Sequence, residues 1–144
     1  MPKIVLCNAF SLSMISKTPT AVGIWEATTE QVKKLLQGGF ESAVGHPATA
    51  SLLSKLLGMP VKAERKMVTL DEDTILVVFQ LLTRLPEGKI LSEEELKQLP
   101  HKWFIVTPVK LWLTPGPICN LAAASDNVAQ AMREAKIDPL LDWA

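Results

Sequence analysis

No tyrosine occurs in the sequence, and only two histidines and two cysteines do. No Cys, His or carboxylate cluster stands at ligand spacing, so neither a zinc site nor a cysteine–histidine nucleophile pair has support. Cys7 lies in an apolar run and Cys119 follows a Pro-Gly-Pro turn. They build no framework of bridges, and a reducing cytoplasm is the expected setting. There is no GxxxxGK[ST] phosphate loop. An excess of charge of one sign is also missing, with 15 Lys+Arg against 15 Asp+Glu. That removes the field that draws proteins to long DNA or RNA, so any nucleic ligand must be small or locally held. No stretch approaches roughly twenty uninterrupted apolar residues, and the run Ile4 to Cys7 after Met1-Pro2-Lys3 is too short for a signal peptide. An intracellular protein that does not enter a membrane is expected.

What is present is a chain of 144 residues, 48% hydrophobic, enough to bury one core. Its 10 prolines and 7 glycines are scattered, with no serine-rich linker. One compact domain follows.

Periodicity predicts a mixed α/β order. Lys3 to Asn8 reads as a buried strand opening into a serine-containing loop, and Thr20 to Glu26 as a second strand. Thr28-Thr29-Glu30-Gln31 offers a capping box for a helix with Val32, Leu35 and Leu36 on its apolar side, ended by Gly38-Gly39. After Phe40 to Val44 comes Gly45-His46-Pro47. Proline at a first helical position, followed by Leu52, Leu53, Leu56 and Leu57, predicts a second amphipathic helix that Gly58 stops. The runs Val61 to Leu70 and Thr74 to Thr83 flank Asp71-Glu72-Asp73 as a β-hairpin would, and the second, nearly all apolar, should be central.

Ser92 to Glu95 predicts a further capped helix ending before Pro100, and Trp103 to Val109 a closing strand. Beyond it Pro108, Pro115 and Pro117 break extended structure, and Ser125 to Ala135 reads as a helix with Val128, Ala129 and Met132 on one side. His101 falls in the helix-to-strand connection, where an exposed loop residue without a role is expected. Glu93 to Glu95 read as helix N-terminal charge, and Trp103 and Trp112 as core or interface aromatics rather than base-stacking platforms.

The polar residues left for chemistry are Asn8 and Ser11, His46, Arg65, Gln80, Arg84 and Glu87. Gln80 interrupts an apolar strand, and Gln80, Leu82 and Arg84 share a face if that strand continues. Taken alone, such a pair is also an edge-strand glutamine and a solvated arginine. His46 stands beside a helix N-terminus, where free amides attract a phosphate and the phosphate in turn favours a protonated imidazole. Gly-His-Pro is equally a plain turn with a capping histidine.

Together, Asn8-Ala9-Phe10-Ser11 after the first strand, Gly45-His46, and Gln80 followed by Arg84-Leu85-Pro86-Glu87-Gly88-Lys89-Ile90-Leu91 resemble the viral ring nucleases that act as type III anti-CRISPR proteins. The resemblance runs from about Lys3 to Leu99. It implies a single-domain α/β fold, a small mixed sheet flanked by helices, forming a homodimer with its active site at the dimer interface. It further implies metal-independent, cofactor-free cleavage of cyclic tetra-adenylate to linear di-adenylate ending in a 2′,3′-cyclic phosphate.

On that resemblance His46 is the general acid, Arg84 stabilises phosphate charge and Glu87 holds Arg84 or a ribose. Asn8, Ser11, Gln80 and Arg65 contact the ligand, Arg65 subject to strand register. A two-fold dimer would present each residue twice to an even-membered ring. Residues 1–109 correspond to the ring-nuclease-like core, and 110–144 are an extension, helical and packed on the core or dimer interface. The competing readings are a sponge that binds the ring without cutting it, and a viral module that binds a protein or DNA. A viral origin would place the protein in the host-cell cytoplasm.

Overall fold

The computed structural model describes residues 2–83, 93–113 and 119–141. Strand β1 (Lys3–Cys7) leads through a 3-10 turn (Leu12–Met14) to β2 (Val22–Ala27), helix α1 (Thr29–Leu36), β3 (Glu41–Ser42) and helix α2 (Pro47–Leu57). Then come β4 (Thr74–Leu81), α3 (Glu93–Gln98), β5 (His101–Leu113), β6 (Cys119–Ala123), α4 (Asp126–Glu134) and β7 (Leu140–Leu141). Among the described residues the strands form one mixed sheet in the order β3-β1-β4-β5-β6-β7, with β2 on the other side of β5. β1 is parallel to both β3 and β4, while β5 is antiparallel to β4, β2 and β6. The chain is thus a single-domain mixed α/β fold, as expected.

Local chemistry accounts for the helices. The Thr28 hydroxyl accepts from the Gln31 amide and the Gln31 side chain accepts from the Thr28 amide, which closes the capping box. Val32, Leu35 and Leu36 are buried as their spacing required. Pro47 opens α2, and Gly58 ends it in the left-handed region at φ 67°. In α4 the Ser125 hydroxyl accepts from the Val128 amide, and Val128, Ala129 and Met132 are buried.

These helices cover one face of the sheet. Their apolar sides meet Leu6, Ile75, Val77, Phe79, Trp103 and Ile105. The opposite face is built from Val5, Cys7, Leu76, Val78 and Val106, and is covered by Val68 and Leu70 with Phe10 and Met14 alongside. β4 is sandwiched between the two: Thr74 to Phe79 are all buried, which is why its sequence shows no alternation. No helix among the described residues is long and apolar enough to cross a membrane.

Three local expectations are corrected. Residues 61–70 do not form a hairpin with β4, whose neighbours are β1 and β5. Only Val61, Val68 and Leu70 of that segment are buried, and residues 62–67 are exposed. The segment crosses the sheet face and makes isolated parallel bridges, Val44 to Ala63 and Ile15 to Leu70. Its charged middle, Lys62 to Lys66, suits that exposed path and not a place beside an all-apolar strand.

Strand β5 is a hub rather than a closing strand, and Pro108 lies inside it. The register Leu76 to Val106 extends to place Pro108 opposite Thr74. Proline has no N–H for the Thr74 carbonyl, and the buried Thr107 hydroxyl donates there instead, at 2.8 Å. The Pro108 carbonyl takes the Ala124 amide at 2.9 Å, so β5 continues by exchanging β4 for β6.

His101 is the first residue of β5, half-buried, not an exposed loop residue. Its Nδ1 lies 2.7 Å from the Leu99 carbonyl, and its ring packs near Phe79 and Trp103, with centroids 5.5 and 6.3 Å away. Trp103 is core, 2% exposed, with Nε1 donating to Thr29 Oγ1. The strand crosses position 109 without a break, and the residues after it add β6, α4 and β7 to the same sheet and core.

Candidate functional site

Because β1, β3 and β4 are parallel, their carboxyl ends come out along one edge of the sheet. Crevices outside such ends are where open α/β sheets usually hold ligands. The pairings Leu6 to Ser42 and Cys7 to Val78 fix the alignment. Asn8 follows β1 and is half-buried, and Gln80 is the first exposed residue of β4. Gly45-His46 follows β3, held close by the Ala43 amide donating to the Leu6 carbonyl at 2.8 Å. At roughly 4.8 Å per strand spacing, the three ends span about 10 Å.

His46 is the N-cap residue of α2, in extended conformation, exposed, and makes no side-chain cap bond. Pro47 has no amide, and the first intrahelical bond runs from the Ala50 amide to the His46 carbonyl at 3.0 Å. The amides of Ala48 and Thr49 therefore have no intrahelical acceptor. An imidazole stands beside the positive end of an 11-residue helix.

Arg65 reaches this point from the crossing segment. The Val44 to Ala63 bridge and the Glu64 amide bonding the Val44 carbonyl at 2.8 Å bring the segment alongside. The Arg65 side chain then lies over Gly45: a Cβ placed there would be 3.6 Å from its Nε. The expected hairpin register is wrong, but the crossing path delivers Arg65 next to His46.

Ser11 caps the 3-10 turn, its hydroxyl accepting from the Ser13 amide at 3.3 Å and sharing a 3.0 Å bond with the Ser13 hydroxyl. Gln80 Nε2 donates to the neighbouring Leu81 carbonyl at 3.2 Å, an exposed local bond. The expectation that Gln80, Leu82 and Arg84 continue along one strand face meets the end of β4 at Leu81. Arg84 and Glu87 lie outside the described residues. The structure thus brings together Arg65, His46, Asn8 and Gln80 at one sheet edge, with Ser11 in the turn after β1.

One neighbour escaped the sequence reading. Lys102 sits directly opposite Gln80 in the β4–β5 register. With the hairpin partner assigned to residues 61–70, no pattern linked Lys102 to Gln80; the signal becomes readable only once β5 is paired to β4.

An arrangement of free helix amides, an imidazole, a guanidinium and two side-chain amides binds an anion with several oxygens and can pass it a proton. Among the described residues no group of three or more His, Cys, Asp or Glu is placed to hold a metal. Cys7 is buried behind this edge. Its thiol donates to the Ala9 carbonyl at 3.2 Å, and burial pushes its pKa up to about 11, so it is no nucleophile at neutral pH.

The sequence model of the STIV B116-like family matches residues 4–103. The Bacillus subtilis protein YddF is 28% identical over 102 residues, covering 69% of this chain and 94% of that one. Protein 26 of Sulfolobus islandicus filamentous virus is 41% identical over 78 residues, 53% of this chain and 66% of the viral one. Among solved structures, B116 of Sulfolobus turreted icosahedral virus superposes with a TM-score of 0.66 at 29% identity, covering 73% of this chain and 98% of its own.

Proposed function

Since the chain belongs to the STIV B116-like family, we propose that this member is a metal-independent ring nuclease. Its substrate is cyclic tetra-adenylate, and its effect is to switch off type III CRISPR signalling in the host cytoplasm. The observation that carries the reading is the Arg65 side chain lying over Gly45, beside an uncapped His46, at the sheet edge that also holds Asn8 and Gln80.

In this mechanism the substrate brings its own nucleophile. A ribose 2′-hydroxyl attacks the adjacent phosphorus, loses its proton to solvent, and the bond from phosphorus to the 5′-oxygen breaks. His46 protonates the departing 5′-oxygen, and a 2′,3′-cyclic phosphate is left on one fragment. Two such cuts turn the ring into two linear di-adenylates. Arg65 and the α2 amides hold phosphate oxygens, while Asn8, Ser11 and Gln80 fix base, ribose or the 2′-hydroxyl. Arg84 and Glu87 take the roles that the resemblance gives them, phosphate stabilisation and its orientation.

A second protomer completes the reading. Leu12 and Met67, 79% and 90% exposed, sit on the segments that carry Ser11 and Arg65. Apolar side chains that open favour coverage by another chain, and a two-fold partner would duplicate the site around the ring.

The test is incubation of purified protein with cyclic tetra-adenylate in excess chelator, with product length followed by chromatography and binding by calorimetry. Cleavage to di-adenylate is expected. His46→Ala should slow it by roughly a hundred- to ten-thousand-fold with affinity largely kept. Tight binding without cleavage by the unaltered protein would make it a sponge, and no binding would sink both ligand readings.

A further inference from the structure

Strand pairing sets a second cation directly beside Gln80. The even-numbered residues Leu76 and Val78 of β4, and Val106 of β5, pack on the face away from the helices, with Phe104 beside them. Gln80 and Lys102 continue those rows, and they are paired directly across the two strands. Directly opposed residues have Cβ atoms about 5 Å apart, so the Lys102 ammonium is within reach of whatever Gln80 touches. β5 runs antiparallel to β4, so its first residues, and not its last, lie at the edge where β1, β3 and β4 end.

In this structure Lys102 Nζ leans toward Glu26 Oε1 of β2 at 3.9 Å, with the two side chains 46% and 60% exposed. At that distance and exposure the pair is loose, and it is easily exchanged. Arg65 at the β3 end and Lys102 at the β5 end are three strand spacings apart, about 14 Å. The uncharged Asn8 and Gln80 lie between them. A linear pair of cations with amides between matches a ligand whose charge is spread around a ring of phosphodiesters, rather than a single terminal phosphate.

Resting on the ring-nuclease reading, we infer that Lys102 is a phosphate-binding residue, held by Glu26 when the site is empty and transferred to a phosphodiester of the ring when it fills. Glu26 acts as the displaceable counter-ion. It keeps the lysine extended along the sheet and discourages other anions from settling there.

Binding of cyclic tetra-adenylate to His46→Ala protein, which leaves the ring intact, is measured from 50 to 500 mM salt, with and without Lys102→Gln. The lysine variant should bind about tenfold more weakly at low salt. Its slope of log affinity against log salt should be shallower by about 0.7 for each phosphodiester that the missing ammonium would have neutralised. Glu26→Gln should tighten binding several-fold, and Glu26→Gln with Lys102→Gln should match Lys102→Gln alone. Unchanged thermal midpoints show that each variant folds.

If the parent binds the ring and Lys102→Gln leaves affinity and slope unchanged, the inference fails while the ring-nuclease reading stands. If Glu26→Gln tightens binding equally without the lysine, Glu26 acts by repulsion alone and the exchange is overturned. No binding by either the unaltered or the His46→Ala protein overturns both.

Discussion

Replacing Thr107 by valine tests how β5 passes through a proline. Thr107 and Thr74 are both fully buried, and the Thr107 hydroxyl is the donor, at 2.8 Å, to the Thr74 carbonyl that Pro108 faces without an N–H. Valine keeps the shape and removes that donor. An unsatisfied buried acceptor costs roughly 1–3 kcal/mol, offset by about 0.8 kcal/mol from burying a methyl group in place of the hydroxyl. The net loss is about 0.2–2.2 kcal/mol. For a chain of this size each kcal/mol moves the thermal midpoint by roughly 4 °C, so a fall of about 1–9 °C is expected.

The decisive variant restores the donor from the backbone. Pro108→Ala alone loosens the unfolded chain and costs about 0.4–1 kcal/mol. Combined with Thr107→Val it supplies the amide that the register directs at Thr74, so the double variant should lose about 1 kcal/mol less than the sum of the singles. Calorimetric scans of the four proteins close this cycle. A Thr107→Val midpoint indistinguishable from the parent's, or strictly additive losses, would refute this role for the hydroxyl.

Two further outcomes follow from single residues. Cys7 has its pKa raised by burial from 9.0 to about 11, so between those values the unfolded chain has lost the thiol proton and the folded one has kept it. Stability should be insensitive to Cys7 below pH 9 and decline from pH 9 to 11, by at most about 2–3 kcal/mol. Urea titrations should show that added decline vanishing in Cys7→Ala. Gly58 ends α2 at φ 67°, and a methyl group added to its Cα would meet open space. Gly58→Ala should therefore cost about 1 kcal/mol through backbone conformation alone, read as a lower urea midpoint with an unchanged slope.

The helices were legible because their signals are local. A threonine three residues before a glutamine, a proline at a first helical position and a glycine after the last turn each state their role within one or two turns. The apolar stretch of β4 announced its central place for the same reason. Residues 61–70 were not legible: an Asp-Glu-Asp break between two apolar-ended runs suits a hairpin, and only the distant partners β1 and β5 exclude it. Pro108 misled because its compensation lies on the neighbouring residue, a hydroxyl whose target, Thr74, is 33 positions away.

The candidate site divides along the same line. Asn8, His46 and Gln80 stand at strand ends, which periodicity can find. Arg65 reaches His46 by a crossing that no alternation encodes, and Lys102 joins Gln80 only through an antiparallel pairing.

The length of β5 has a consequence for how this protein tolerates change. The family match ends at residue 103, two residues beyond the start of the strand, yet the strand runs to Leu113. From Lys102 to Lys110 is eight residues, about 26 Å of extended chain. Whatever is grafted beyond Pro108 is therefore anchored at the far pole of the molecule from Gln80 and His46. The strand behaves as a spacer beam: one end is held by the demands of chemistry, and the other, which carries β6 and α4 into the shared core, is held by packing.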